Sequence, residues 1–285
     1  MLRLATTLLA AVLVLSGGHL LTGPLAFEDH AARAVWTWRT SGAADIWREG
    51  FVPLEDLAAI PPRVVERIRQ DEEYGWVVAG PLPATPPETQ IRWDDGATMR
   101  APVIGAREAL LTVSPWGTET NFPEDETYHL TGATFTTMRL KTLRGMATVP
   151  AWRLYFSDLP GPIDQVAVDQ EAVGTIEGAV GSLIGDVRAV EALDERTLLV
   201  SYEYGSCTGK PRDVRLRVRE EPDVVVLGFD VHGPRQLGFC AGVGMSGQGV
   251  IELDEPLGAR VLLDAKSRVP VLCRHVPNAC RAGNG

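Results

Sequence analysis

The chain reads as an α+β protein, mainly antiparallel β, built as sheet or sandwich-like meanders behind a small helical N-terminal part. Three observations predict this. Residues 27–50 have the Ala-, Arg- and Glu-rich composition of helices and stop at Gly50. From Leu130 onward apolar residues recur with a period of two, the spacing of half-buried strands. Turn residues then interrupt the pattern at the short intervals of an antiparallel sheet.

Taken in order, Phe27 to Thr40 and Gly42 to Gly50 are two short helices. Pro61-Pro62 opens a further helical piece, Arg63 to Gln70, and Tyr74 to Ala79 is a short strand. Residues Pro81 to Pro87 include four prolines, which makes them an extended, stiff connector. Ile91-Arg92-Trp93 runs into Asp94-Asp95-Gly96, and the Asp-Gly pair suits a tight hairpin turn. Ala106 to Leu111 is a brief helix. Met138, Leu140 and Thr142, then Trp152, Leu154 and Phe156, then Ile163 to Val168 form a three-stranded meander. The strands Val187 to Leu193, Thr197 to Tyr204, Val214 to Arg219 and Val224 to Val231 continue it, with Val250 to Leu253 and Arg260 to Asp264 as edges. The expected organisation is a leader over residues 1–26, an α+β region over 27–129 with the connector at 81–87, and an antiparallel β region with two disulfides over 130–285.

Composition bounds the function. The chain has 285 residues, 45% of them hydrophobic, 22% charged, with a net charge of −10. This is enough apolar material for one large core or two modest ones, and disorder is excluded. The acidic balance repels phosphate backbones and anionic lipid, so nucleic acid is not an expected partner.

The first residues supply an address. Arg3 is followed by Leu4 to Ala26, a run without formal charge. Leu4 to Leu15 has the length of a signal-peptide core, with small residues for cleavage at Ser16-Gly17-Gly18 and a poorer site at Pro24-Leu25-Ala26. Left uncut, Leu4 to Ala26 can span a bilayer, with Arg3 inside and Glu28 and Asp29 outside. Leu15-Ser16-Gly17 resembles the start of a lipobox, but Gly18 stands where a lipidated thiol is required. The expected location is extracellular or on the outer face of the cytoplasmic membrane, with membrane contact only through this segment.

Cysteine usage agrees with that address. Cys207, Cys240, Cys273 and Cys280 are an even set near the C-terminus, and export favours oxidation. Three pairings are open. The turn-rich segment between Cys273 and Cys280 can bring its ends together, which leaves Cys207 with Cys240. In the chain-entropy model these closures stabilise by about 2.5 and 3.8 kcal/mol. The rival reading is a zinc site from Cys273, His275 and Cys280, which lacks a paired second half.

Several stretches resemble uncharacterised exported proteins and lipoproteins of high-GC actinobacteria: residues Trp47 to Leu54, Thr131-Gly132-Ala133, Arg144 to Trp152 and Pro256 to Asp264. The excess of arginine, 24 against 3 lysines, suits such a genome. The resemblance covers most of the chain after the leader. It implies no activity, and it implies that Cys207 and Cys240 bridge neighbouring strands. Lipoprotein relatives would carry cysteine at Gly18, so this chain departs from them there.

The catalytic motifs fail by context. Gly242 to Gly247 matches a dinucleotide fingerprint by letter, but Gly249-Val250-Ile251-Glu252-Leu253 continues as strand where a helix is needed, so the glycines read as a flexible inter-strand loop. Ser246 lacks the second glycine of a nucleophile elbow, Gln248 standing there. Gly209-Lys210-Pro211 lacks the hydroxyl of a phosphate loop. His30, His129, His232 and His275 are scattered, with no pair at helical metal spacing. No cofactor or metal is expected. The acids Glu72-Glu73, Asp94-Asp95, Glu124-Asp125-Glu126 and Glu220-Glu221 could supply a glycosidase pair, though solvated loop charge is the simpler reading. Arg215, Arg217 and Arg219 share one strand face and are expected to pair with acids on neighbouring strands.

Tryptophan is the remaining signal, with seven in the chain. Core packing is the default for each. Trp36 and Trp38 are the exception, because residues two apart on a helix point about 160° apart and one packing face cannot take both. One of them is the candidate binding residue. The functional expectation is a non-enzymatic extracytoplasmic envelope protein that binds wall glycan or a membrane partner protein, the alternative being an envelope hydrolase with a loop carboxylate pair.

Overall fold

A computed structural model describes residues 27–70, 74–114, 119, 122–123, 126–181, 184–207, 212–232 and 243–281. The leader, Trp116, Cys240, Glu72, Glu73, Glu124, Asp125 and the 209–211 motif lie outside the described residues.

The mainly antiparallel α+β architecture is present. Helices α1 (Phe27–Thr40) and α2 (Ala43–Glu49) open the described chain, and the Gly50 N–H bonds the Ile46 carbonyl to end α2. Strand β1 (Ala58–Ala59) precedes α3 (Pro62–Arg69), which begins at a proline whose missing N–H costs the first turn nothing. Strands β2 (Gly75–Val78), β3 (Glu88–Trp93) and β4 (Thr98–Pro102), helix α4 (Ala106–Val113), and strands β5 (Thr127–Thr142), β6 (Gly145–Phe156) and β7 (Ile163–Val166) follow. Short helices α5 (Gln170–Val173) and α6 (Ile176–Val180) lead into β8 (Val187–Ala192), β9 (Thr197–Ser206), β10 (Asp213–Glu220), β11 (Val224–His232), β12 (Val243–Glu252) and β13 (Val261–Asp264).

The first seven strands make one sheet. Its order is β1-β7-β6-β3-β4, with β5 along the other edge of β6 and β2 parallel to the start of β5. It takes strands from both sides of residue 130. The meander β5–β6–β7 forms as its alternation predicts, and Gly96, at φ 88°, closes the β3–β4 hairpin in a conformation that favours glycine.

The remaining strands do not continue one sheet. They divide into β10-β11-β13 and β12-β9-β8, stacked over a shared core that includes Leu198, Val200, Val225, Leu227 and Ile251. Strand β11 explains the arrangement. Val224, Val225, Val226 and Leu227 are all fully buried, so both faces need cover. Val225 and Leu227 face the sandwich, while Val224 and Val226 face Ala31, Ala34, Val35 and Trp38 of α1. Strand β13 pairs with β11 in parallel.

Residues 243–247, read from sequence as part of a flexible loop, are instead the first half of β12. Pairing with β9 runs unbroken from Val243 opposite Ser206 to Glu252 opposite Thr197. Two of its glycines make room for neighbours: a Cβ on Gly247 would stand 2.6 Å from the Tyr202 hydroxyl, and one on Gly249 2.6 Å from Leu216 Cδ1 of β10. Gly249 thereby permits close packing of the two sheets.

The Cys273–Cys280 disulfide is formed, with Cα atoms 5.6 Å apart and both residues buried beside α1 and α6. Both sulfurs are consumed, so the zinc reading of Cys273, His275 and Cys280 does not hold. Cys207 is also disulfide-bonded. Replacing both Cys273 and Cys280 by alanine should cost about 2.5 kcal/mol by loop-closure entropy. Urea titration of the double variant against the parent checks this.

Candidate functional site

The two tryptophans singled out on α1 separate as helical geometry requires. Trp38 is buried and meets Trp47 edge to face, with centroids 6.0 Å apart. Trp36 is 66% exposed. Helix α1 is held from beneath: Phe27, Ala31, Ala34, Val35 and Trp38 pack down, while Arg217 of β10 pairs with Glu28 and lies over the Phe27 ring at 5.6 Å. At the far end Arg39 pairs with Glu221 and Asp223 of the β10–β11 turn. Trp36 therefore projects from a fixed platform, with exposed Ala32 and Arg33 one turn before it. Its backbone carbonyl accepts the Thr40 hydroxyl at 2.8 Å.

The other tryptophans are mostly structural. Trp93 Nε1 donates to Thr142 Oγ1 at 2.9 Å and Trp152 Nε1 to the Ile104 carbonyl at 2.8 Å, both rings being buried. Trp76 is buried among Tyr74, Tyr128 and Phe156. Trp47, which no local pattern singles out, forms a wall of an apolar groove of about 280 Å3 with Val261, Leu262, Pro270, Leu272 and His275. Its signal is hidden because the rest of the lining comes from Val190 and from residues 260–275, far along the chain.

Among the acids named from sequence, Asp94, Asp95, Glu220 and Glu221 are tied up. Asp94 forms two bonds with Arg139, at 2.7 and 2.6 Å, and the Arg139 hydrogen bond holds its carboxyl below the usual range. Asp95 caps the Ala97 N–H at 2.8 Å. Partial burial pushes the Glu220 carboxyl up, but bonds from Arg260 and from the N–H groups of Asp254 and Glu255 outweigh it and leave a net downward shift. Glu221 is lowered chiefly by its bond to Arg219. Within the arginine stripe, Arg217 reaches Asp230 on the adjacent strand as well as Glu28, and Arg219 reaches Glu221.

Histidines do not converge. His129 Nδ1 lies 3.0 Å from Asp158 Oδ2, which also accepts the His129 backbone N–H and the Ser157 hydroxyl. Burial raises the Asp158 carboxyl, and these three bonds together bring it down below its ordinary value. The hydroxyl points at the carboxylate, so this is not the arrangement in which an imidazole activates a serine. His30 lines a cleft of about 370 Å3 with Phe27, Phe229, Asp186, Asp230 and Lys266. Lys266 pairs there with Asp186 at 2.8 Å and Asp230 with Arg217 at 3.3 Å, while the third lining carboxylate, Asp264, is held by backbone N–H groups. Among the described residues no group of three or more His, Cys, Asp or Glu side chains could hold a metal ion.

Ser246 lies on β12 opposite Glu203, within the strand that replaces the expected glycine loop. No described helix is long and apolar enough to cross a membrane. Comparison of the chain with protein-family models, with curated proteins and with solved structures finds no match.

Proposed function

We propose that this chain is a non-enzymatic, extracytoplasmic envelope protein that binds wall glycan or a membrane partner protein, with its leader either cut or kept as an anchor. The observation that carries the reading is Trp36: a large indole, 66% exposed, on a helix whose other face is fully packed. An exposed indole loses apolar surface to water until a sugar face or a partner protein covers it, and tryptophan and arginine dominate binding hot spots. The Trp47 groove is a second aromatic surface of the kind a sugar ring stacks on. The Cys273–Cys280 disulfide is compatible with oxidising surroundings.

The hydrolase alternative requires two unpaired carboxylates in one pocket, one of them held protonated. Asp94, Glu220 and Glu221 are ion-paired and shifted toward the ionised form, which favours the binding reading. The test is co-sedimentation of the full chain with purified wall material and, separately, with solubilised envelope proteins. Trp36→Ala should reduce retention about tenfold in one of the two assays, the loss of a hot-spot side chain. Equal retention of parent and variant in both would remove this reading.

A further inference from the structure

The long strand β5 has an outer edge that the described residues leave open. Among the described residues, β5 pairs from Gly132 to Leu140 only with β6; β2 covers no more than Thr127 to Leu130. The direction of each backbone group follows from the far end. The Leu54 N–H donates to the Lys141 carbonyl at 2.9 Å, and the Lys141 N–H donates to Glu55 at 3.0 Å, so Lys141 points its backbone groups away from β6. Pairing is unbroken between Ala133 and Thr142, so the same direction holds for every second residue. Ala133, Phe135, Thr137 and Arg139 therefore present their N–H and C=O groups outward, and among the described residues none of these groups has a partner on that side.

Edges like this are normally blunted by lysine, proline or a bulge. Here the register shift lies before Gly132, and Gly132 to Met138 is a run of glycine, alanine, threonine, phenylalanine and methionine without charge. Arg139 is neutralised by Asp94 through two hydrogen bonds. The seam is electrically neutral on a chain of net charge −10.

We infer that this edge is the interface of a two-fold homodimer, in which β5 of one copy pairs antiparallel with β5 of another. Charge selects the occupant and its direction. A neutral seam lets two acidic chains approach, and antiparallel pairing sets Arg139 beside Ala133 of the second copy, whereas parallel in-register pairing would stack arginine on arginine. The register centred on Thr136 uses all four outward residues reciprocally: Ala133 opposite Arg139 and Phe135 opposite Thr137, each twice. That gives about eight N–H···O bonds. It also yields two aromatic–threonine pairs and one threonine–threonine pair across the strands, combinations that stabilise sheets. Reciprocal contact of one patch with itself is the ordinary form of a closed dimer. The reading is independent of Trp36.

The test uses the full chain in mild detergent, with mass measured by sedimentation equilibrium over a concentration series. Thr137→Pro removes an outward N–H that the monomer's own sheet does not use, a substitution that sheet edges tolerate. The parent should show a monomer–dimer equilibrium, and Thr137→Pro should raise the dissociation constant at least about tenfold. Should the variant misfold, amide exchange in the parent replaces it: the Phe135 and Thr137 amides should become protected as concentration rises. A parent that stays monomeric throughout, a folded Thr137→Pro variant that dimerises as the parent does, or a dimer whose Phe135 and Thr137 amides exchange freely would each overturn the inference.

Discussion

Replacing Asp264 by alanine is expected to destabilise the fold by about 4 kcal/mol or more, the range of buried-network losses. The residue ends β13 and is buried, yet among the described residues its carboxylate meets no cation. It accepts four backbone N–H groups instead. Oδ2 takes those of Asp186 and Val187 at 2.8 and 2.7 Å, and Oδ1 takes those of Lys266 and Ser267, both at 2.8 Å. Each is a charge-assisted bond, and losing the acceptor leaves buried donors unsatisfied, which costs about 1–3 kcal/mol apiece. Asparagine should be nearly as damaging, because its NH2 group would confront two of the donors. The contact also accounts for Gly185, where a Cβ would stand 2.7 Å from the carboxylate. Gly185→Ala should therefore be harmful in the parent and close to neutral once Asp264 is alanine. Urea titrations of the two single variants and the double variant form the cycle, and additive losses would show that the two residues do not interact.

Trp38→Ala is expected to cost about 3–5 kcal/mol, while Trp36→Ala should stay within about 0.5 kcal/mol. The two residues have the same type and stand on one helix, so composition and helix propensity cancel in the comparison. What differs is burial, 2% against 66% exposed. Trp38 fills the layer between α1 and β11 and supports Trp47, so its loss opens a cavity at the base of the helix. Thermal unfolding of both variants, followed by circular dichroism, checks the contrast. Similar midpoints would mean that α1 does not seal the sandwich.

The contrast also marks what could be read in the chain before it folded. The divergence of Trp36 and Trp38 was legible because it depends only on the pitch of a helix. Which of the two turns inward was not, since that depends on the Val224 and Val226 surface almost 190 residues later. Glycine misled for a related reason. The stretch 243–247 has the composition of a loop, but Gly247 answers to Tyr202, and Gly249 just beyond it to Leu216, partners that local sequence does not reveal. Trp47 carries no local signal because its groove is completed by Val190 and residues 260–275. Asp264 looked like an ordinary strand end, for its donors at 186 and 187 are distant in sequence.

By itself the sequence determined the local elements: helices 27–40 and 43–49, the β3–β4 hairpin, the β5–β6–β7 meander and the mainly antiparallel class. Each rests on periodicity or turn chemistry confined to neighbouring residues. Only the tertiary structure decided that the later strands part into two stacked sheets, that β13 runs parallel to β11, that Trp36 faces solvent and that the edge of β5 has no strand partner among the described residues. Those outcomes depend on which buried faces find each other across long stretches of chain, and the pattern that makes a strand amphipathic carries no record of its partner.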